Sequence, residues 1–169
     1  MYKFLFAIYR ILVPKSLRTV ILKKNLRRKI SAYFKSISQV ELNDDQKEIL
    51  DFLESNQVRI FPYPFHDNYS PDKIDVKYDP EKSMRFIMHD GKRLYFKKRW
   101  GLSHIKRAYS DLLREQDPGS PHRYLTDKFM IGENEVIADI GAAEGNFSLS
   151  VIEKAKKIYL FEYDREWIE

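Results

Sequence analysis

Residues 135–162 constrain the fold more than any other part of the chain, because they read as strand, glycine turn, helix and strand in unbroken succession. Val136-Ile137-Ala138 is a short buried strand and Asp139-Ile140-Gly141-Ala142-Ala143-Glu144-Gly145 is the turn. Asn146 is placed to cap a helix in which Phe147, Val151 and Ala155 share a face, and Ile158-Tyr159-Leu160-Phe161 is a second strand ending at Glu162. A strand–helix–strand unit of this length builds a parallel pair, so the expected class is α/β, with the start of a Rossmann-like sheet. Glycines between the strand and the helix let a ligand approach the backbone at the carboxyl ends of the strands. An acidic residue ending the second strand accepts hydrogen bonds from ribose hydroxyls. Here Glu162 stands 23 residues after Asp139, near the ~20 expected of a nucleotide-binding half.

The turn also discriminates between nucleosides. A dinucleotide fingerprint, G-x-G-x-x-G, cradles a pyrophosphate. In this chain Asp139 occupies the first glycine place, and Gly141 and Gly145 stand four apart rather than three. A carboxylate at that place repels a pyrophosphate and suits a cation. S-adenosylmethionine carries a sulfonium and an amino group, so the pattern favours it over NAD and disfavours a nicotinamide oxidoreductase.

Val136 to Ser148 resembles the first motif of FkbM-type S-adenosylmethionine-dependent methyltransferases, and Tyr159-Leu160-Phe161-Glu162 resembles their second. Asp117-Pro118-Gly119-Ser120-Pro121-His122-Arg123-Tyr124 looks like the lead-in found in a bacterial subgroup. The resemblance implies an O-methyltransferase acting on a sugar or another hydroxyl-bearing acceptor. It implies that Asp139, Gly141, Ala142 and Gly145 line the cofactor's methionine end and that Glu162 holds its ribose, with Asp164 as the nearest substitute. It further implies a seven-stranded class I methyltransferase sheet, of which two strands are accounted for. The chain is therefore expected to hold the front part of such an enzyme, apparently truncated. The alternative is a non-enzymatic remnant or membrane-surface module with a vestigial nucleotide-binding unit.

Ahead of this segment the charge is segregated. Thirty Lys and Arg against 25 Asp and Glu give +5 overall, yet residues 1–40 hold ten basic residues and no acid. The basicity belongs to an arm expected as two amphipathic helices. Phe4, Leu5, Ile8, Ile11 and Leu12 form one stripe; Pro14 breaks the helix and Ser16 is placed to cap the next. There Leu17, Val20, Ile21, Ile30, Tyr33, Phe34 and Ile37 form a looser stripe, beside a cationic band of Lys23, Lys24, Arg27, Arg28 and Lys29. Such an arm suits an anionic membrane surface or a partner helix, and nucleic acid less well. No apolar run approaches the ~20 residues of a spanning helix, so the expected location is cytoplasmic, peripheral at the inner face of the membrane.

Residues 41–116 read as a small α+β region between the arm (1–40) and the nucleotide-binding segment (117–169). Asn43 and Gln46 make a capping box before Ile49, Leu50 and Leu53. Ile74 to Tyr78 alternates like a strand, Asp90-Gly91 marks a hairpin spanning 84–96, and Ser103 to Arg114 is helical. The chain has no cysteine, which removes thiolate chemistry and disulfides. His122 and Arg123 are the candidates for proton transfer, although a lone loop histidine is more often structural. His66, His89 and His104 lack metal-ligand spacing, so no metal is expected. The aromatics from Phe61 to Phe65 suit a packed loop better than a sugar platform.

Overall fold

The computed structural model describes residues 9, 11–37 and 42–168 of the chain. They form a mixed α/β protein of helices and two small sheets, in two compact units that divide between Pro62 and Tyr63. The division differs from the three parts read from sequence: the helix after residue 43 groups with the arm, and the hairpin region groups with the glycine turn.

The first unit holds α1 (Lys15–Ser36) and α2 (Asp44–Ser55). Helical residues 11 and 12 stop at Pro14, whose ring forbids an interior position, and α1 starts immediately after it. Pro14 thus takes the N-cap place, without a side-chain bond, and Ser16 lies inside the helix instead of capping it. Of the first expected stripe, Phe4, Leu5 and Ile8 lie outside the described residues. At α2 the capping box is complete. Asn43 Oδ1 accepts from Gln46 N at 2.9 Å, Gln46 Oε1 accepts from Asn43 N at 3.0 Å, and Asp44 and Asp45 complement the positive end of the helix. Arg27 closes the other end, donating Nε to Leu53 O and Nη2 to Glu54 O, each at 2.6 Å. These are the carbonyls a helix leaves unpaired, and a cation there also offsets its negative end.

The second unit opens with two 3-10 turns, Pro64–Asn68 and Pro71–Lys73. The strand expected over Ile74 to Tyr78 contracts to β1 (Lys77–Asp79), because Ser70 and Pro71 nucleate the second turn and Ile74 N donates back to Pro71 O at 3.2 Å. β2 (Met84–His89) and β3 (Lys92–Phe96) form the expected hairpin, antiparallel and in the order β1-β2-β3. His89 pairs with Lys92 across a two-residue loop in which Asp90 has φ 49° and Gly91 φ 75°, the left-handed pair of a type I′ turn. α3 (Leu102–Glu115) covers this sheet. Ile74, Ile87, Leu94, Phe96, Ile105, Tyr109 and Leu112 make the core between them.

The last elements are β4 (Val136–Ile140), α4 (Asn146–Val151), β5 (Lys157–Phe161) and α5 (Arg165–Ile168). β4 and β5 are parallel, with Asp139 opposite Leu160. α4 is shorter than expected: Gly145 takes the cap, Asn146 becomes the first helical residue, and Ala155 falls beyond the end. Leu149 and Trp167 pack against the hairpin core, and Lys92 meets Glu153 at 2.7 Å, so one core serves both sheets of this unit. The strand pair itself is barely covered: Val136, Ile140, Leu160 and Phe161 are all exposed, whereas parallel strands are ordinarily buried on both faces.

Two substitutions test this account. Gly91→Ala adds a Cβ with nothing within 4 Å of it, so its cost is purely conformational, about 1 kcal/mol by urea unfolding. Arg27→Gln should lower α2's local stability by about 1–2 kcal/mol, seen as faster amide exchange along α2, since a half-exposed guanidinium loses two backbone acceptors. Unchanged α2 exchange would show that Arg27 does not hold the pair together.

Candidate functional site: the glycine turn and its clefts

The turn after β4 is built by hydrogen bonds to the end of β5. Gly141 N and Ala142 N both donate to Phe161 O, at 2.7 and 3.2 Å, and Gly145 N donates to Ala142 O at 2.6 Å. The backbone enters the left-handed region at three alternate residues, Gly141 (φ 77°), Ala143 (φ 46°) and Gly145 (φ 74°). Ala143 carries a Cβ, which costs about 1–2 kcal/mol there, so something must hold it. That holder is Glu162. Its Oε2 accepts from Ala143 N at 2.8 Å and its Oε1 from Asp164 N at 2.7 Å. The Asp164 amide, and after it the Ala143 amide, keep the Glu162 carboxyl below the usual carboxylate range.

Asp139, the penultimate residue of β4, accepts from the buried Ser148 hydroxyl at 2.6 Å, which orients one of its oxygens. Asp164 is held from the hairpin side by Lys97 and accepts from Glu166 N at 3.0 Å. Lys97 is itself buried, with its ammonium 4.6 Å from the Trp167 ring centre and 5.7 Å from that of Trp100. The end of β5 is thereby clamped to β3 by a charge held over two indoles.

Two clefts flank the turn. One of about 360 Å³ is lined by Tyr124, Phe129 and Phe147 together with Asp139, Ala142 and Glu144. The other, about 850 Å³, runs from the turn past Glu162 and Tyr163 to Trp167 and Ile168. Both volumes fall in the ~300–1,000 Å³ range of small-molecule sites. Asp139, Gly141, Ala142, Gly145 and Glu162 are therefore gathered within one turn and its two flanks. Tyr124 meets Phe147 edge-on at 5.7 Å and forms an aromatic wall beside the acids. Burial raises the Tyr124 hydroxyl's pKa, and the charges of Glu115, Glu144 and Asp139 add to the rise. The Glu144 carboxyl is also raised, first by burial and then by Glu115, Asp139 and Glu162. The turn is thus a region of accumulated negative charge.

His122 and Arg123 line neither cleft. His122 N donates to Ser120 Oγ at 3.2 Å, and Arg123 Nη1 reaches Pro118 O at 3.5 Å, so both belong to the turn that precedes the site. The same turn is pinned by Asp117, which accepts from Tyr69 Oη at 2.6 Å and from Gly119 N at 2.7 Å, pushing the Tyr69 hydroxyl up to about 12. Sequence reasoning missed Tyr124 and Glu144 as lining residues. The only available signals were that Tyr124 follows His122-Arg123 directly and that Glu144 lies inside the glycine turn. Two of the other histidines serve packing: His89 Nδ1 lies 3.0 Å from the Tyr109 hydroxyl and His104 stacks on Trp100 at 4.2 Å. Tyr63 stacks on Phe65 at 5.2 Å. Among the described residues no group of three His, Asp or Glu is placed to hold a metal ion. Compared with known proteins, the chain matches no protein-family model, no curated protein and no solved structure.

Glu162 beside the turn and Glu144 within it should respond to pH in opposite senses. Glu162 has a lowered folded pKa, so its contribution is complete above the ordinary carboxylate range and is lost as pH falls through the depressed value. Glu162→Gln should speed amide exchange at Ala143 and Asp164 at neutral pH, and the difference from wild type should shrink in acid. Glu144 has a raised folded pKa, so its charged form opposes folding at neutral pH. Glu144→Gln should therefore raise Tm at pH 7 and change it little near pH 4. A lower Tm at pH 7 would contradict the assigned burial and repulsion.

Proposed function

We propose that residues 117–169 form the cofactor-binding front of an S-adenosylmethionine-dependent methyltransferase of FkbM type, with a Rossmann-like β4–α4–β5 unit and a hydroxyl group, of a sugar or another small molecule, as methyl acceptor. The observation that carries this reading is electrostatic. Asp139, Glu144 and Glu162 surround the glycine turn, and Glu115 adds to their field at Glu144. An anionic pyrophosphate is repelled there and a sulfonium or ammonium group is attracted. A nicotinamide dinucleotide is the wrong ligand for such a turn.

The residues present fit the cofactor. When bound, it supplies an electrophilic methyl on a positively charged sulfur. Asp139, held by Ser148, offers a fixed carboxylate to the ammonium end. Glu162 accepts backbone hydrogen bonds on both oxygens, and its two oxygens offer about four lone-pair sites, which leaves capacity for a ribose hydroxyl. Positive φ at Gly141 and Gly145 lets the backbone run close beneath the ligand without a side chain between. Tyr124, Phe129 and Phe147 give the smaller cleft an aromatic wall beside Asp139 and Glu144. No base for the acceptor hydroxyl is assigned, since His122 and Arg123 lie outside both clefts.

A second reading, a binding unit without turnover, is favoured by the bare faces of β4 and β5, where Ile140 is 82% exposed. Calorimetric titration of the full chain separates the two. S-adenosylmethionine should bind, NADH should not, and Asp139→Asn should weaken binding about tenfold to a hundredfold, the worth of a charge-assisted hydrogen bond. Transfer of labelled methyl to glycan or small hydroxyl acceptors then tests turnover. Binding without transfer to any acceptor supports the second reading, and NADH binding without S-adenosylmethionine binding overturns the proposal.

A further inference from the structure

We infer that the N-terminal half of α1, residues 15–26, together with Arg28 and Lys29, is a docking surface for an anionic phospholipid membrane. The inference is independent of the methyltransferase reading.

α1 is 22 residues long and α2 is 12, about 33 Å against about 18 Å. Arg27 meets the last turn of α2 at Leu53 and Glu54, while Ser31 and Lys35 line a cleft with Leu50 and Asp51. The helices therefore run antiparallel, α2 is matched to the C-terminal half of α1, and the half before Arg27 continues past the end of α2. Exposure follows the same division in all but one side chain. Ile30, Phe34 and Ile37 are half-buried and Tyr33 stands out at 64% exposed, whereas Leu17, Val20, Ile21, Leu22 and Leu26 are all 38% to 58% exposed. The single apolar stripe read from sequence is split: beyond Arg27 its residues other than Tyr33 face cover, and before Arg27 its residues are bare.

The bare half is cationic as well as apolar. Lys15, Lys24, Arg28 and Lys29 are exposed, and α1 contains no acidic residue. An anionic leaflet answers both properties, because its headgroups pair with the ammonium and guanidinium groups while the acyl boundary takes up the aliphatic side chains. Nucleic acid answers only the charge and leaves five aliphatic residues in water. Among the described residues no helix is long and apolar enough to cross a membrane, so contact is with the surface. The aliphatic residues are spread around the helix instead of gathered on one side. Attraction is therefore mainly Coulombic, with shallow insertion, and Arg27 stays with α2.

Sedimentation of the full chain with vesicles tests the inference. Phosphatidylcholine vesicles containing phosphatidylserine should carry the protein down and pure phosphatidylcholine should not. Raising salt from about 0.1 M to about 1 M shortens the screening length from about 10 Å to about 3 Å and should release it. Each cation near such a leaflet strengthens binding about fivefold, so Lys24→Gln, Arg28→Gln and Lys29→Gln together should weaken it about a hundredfold. Ile21→Ser with Leu22→Ser should weaken it while leaving the salt dependence in place. These five side chains are exposed, and circular dichroism of each variant verifies the fold. Sedimentation with both lipids alike, with neither, or unchanged in the triple variant overturns the inference. So does tighter binding to a random-sequence single-stranded RNA than to the anionic vesicles.

Discussion

The carboxylate of Glu162 is the point on which the glycine turn depends. One oxygen holds Ala143 in a left-handed conformation that a residue with a Cβ resists, and the other holds the first turn beyond β5. The turn and the strand end are separate in sequence, and this group and the Phe161 carbonyl both join them. A carboxylate suits the task because it is acceptor-only and offers two oxygens in one plane. A group so used is also a group already oriented, and Glu162 lines the larger cleft.

The support reaches further back into the chain. Asp164 follows Glu162 by two residues and is held by Lys97, at the end of β3. A buried lysine needs its charge answered, and here a carboxylate and the faces of Trp100 and Trp167 answer it together. Hairpin, α3 and glycine turn are thus parts of one packed unit, and the placement of the candidate site rests on residues some 65 positions away in sequence. The cost of the arrangement is accumulated negative charge: burial raises the pKa of Glu144, and its acidic neighbours raise it further. The two carboxylates thus act in opposite senses: charged Glu144 opposes folding, whereas charged Glu162 supports it.

α1 shows a different economy. Its cations are not interchangeable, because Arg27 terminates α2 whereas its neighbours Arg28 and Lys29 remain exposed. Composition alone treats them as one band.

What the sequence determined by itself are the features written in adjacent residues. The Asn43–Gln46 box, the Asp90-Gly91 turn and the break at Pro14 are local, since each is set by backbone conformations or hydrogen bonds a few residues apart, and the order strand, glycine turn, helix, strand over 136–161 is written in the residue pattern itself. Tertiary structure decided the rest. It drew Tyr124 to Phe147, set Lys97 beneath Asp164, shortened the strand before Asp79, took the cap of α4 from Asn146 and gave it to Gly145, and divided the stripe of α1 by the length of α2. None of these has a period or a spacing in the chain. They follow from which surfaces meet once the local elements exist, because burial and charge pairing act through space and are indifferent to distance along the backbone.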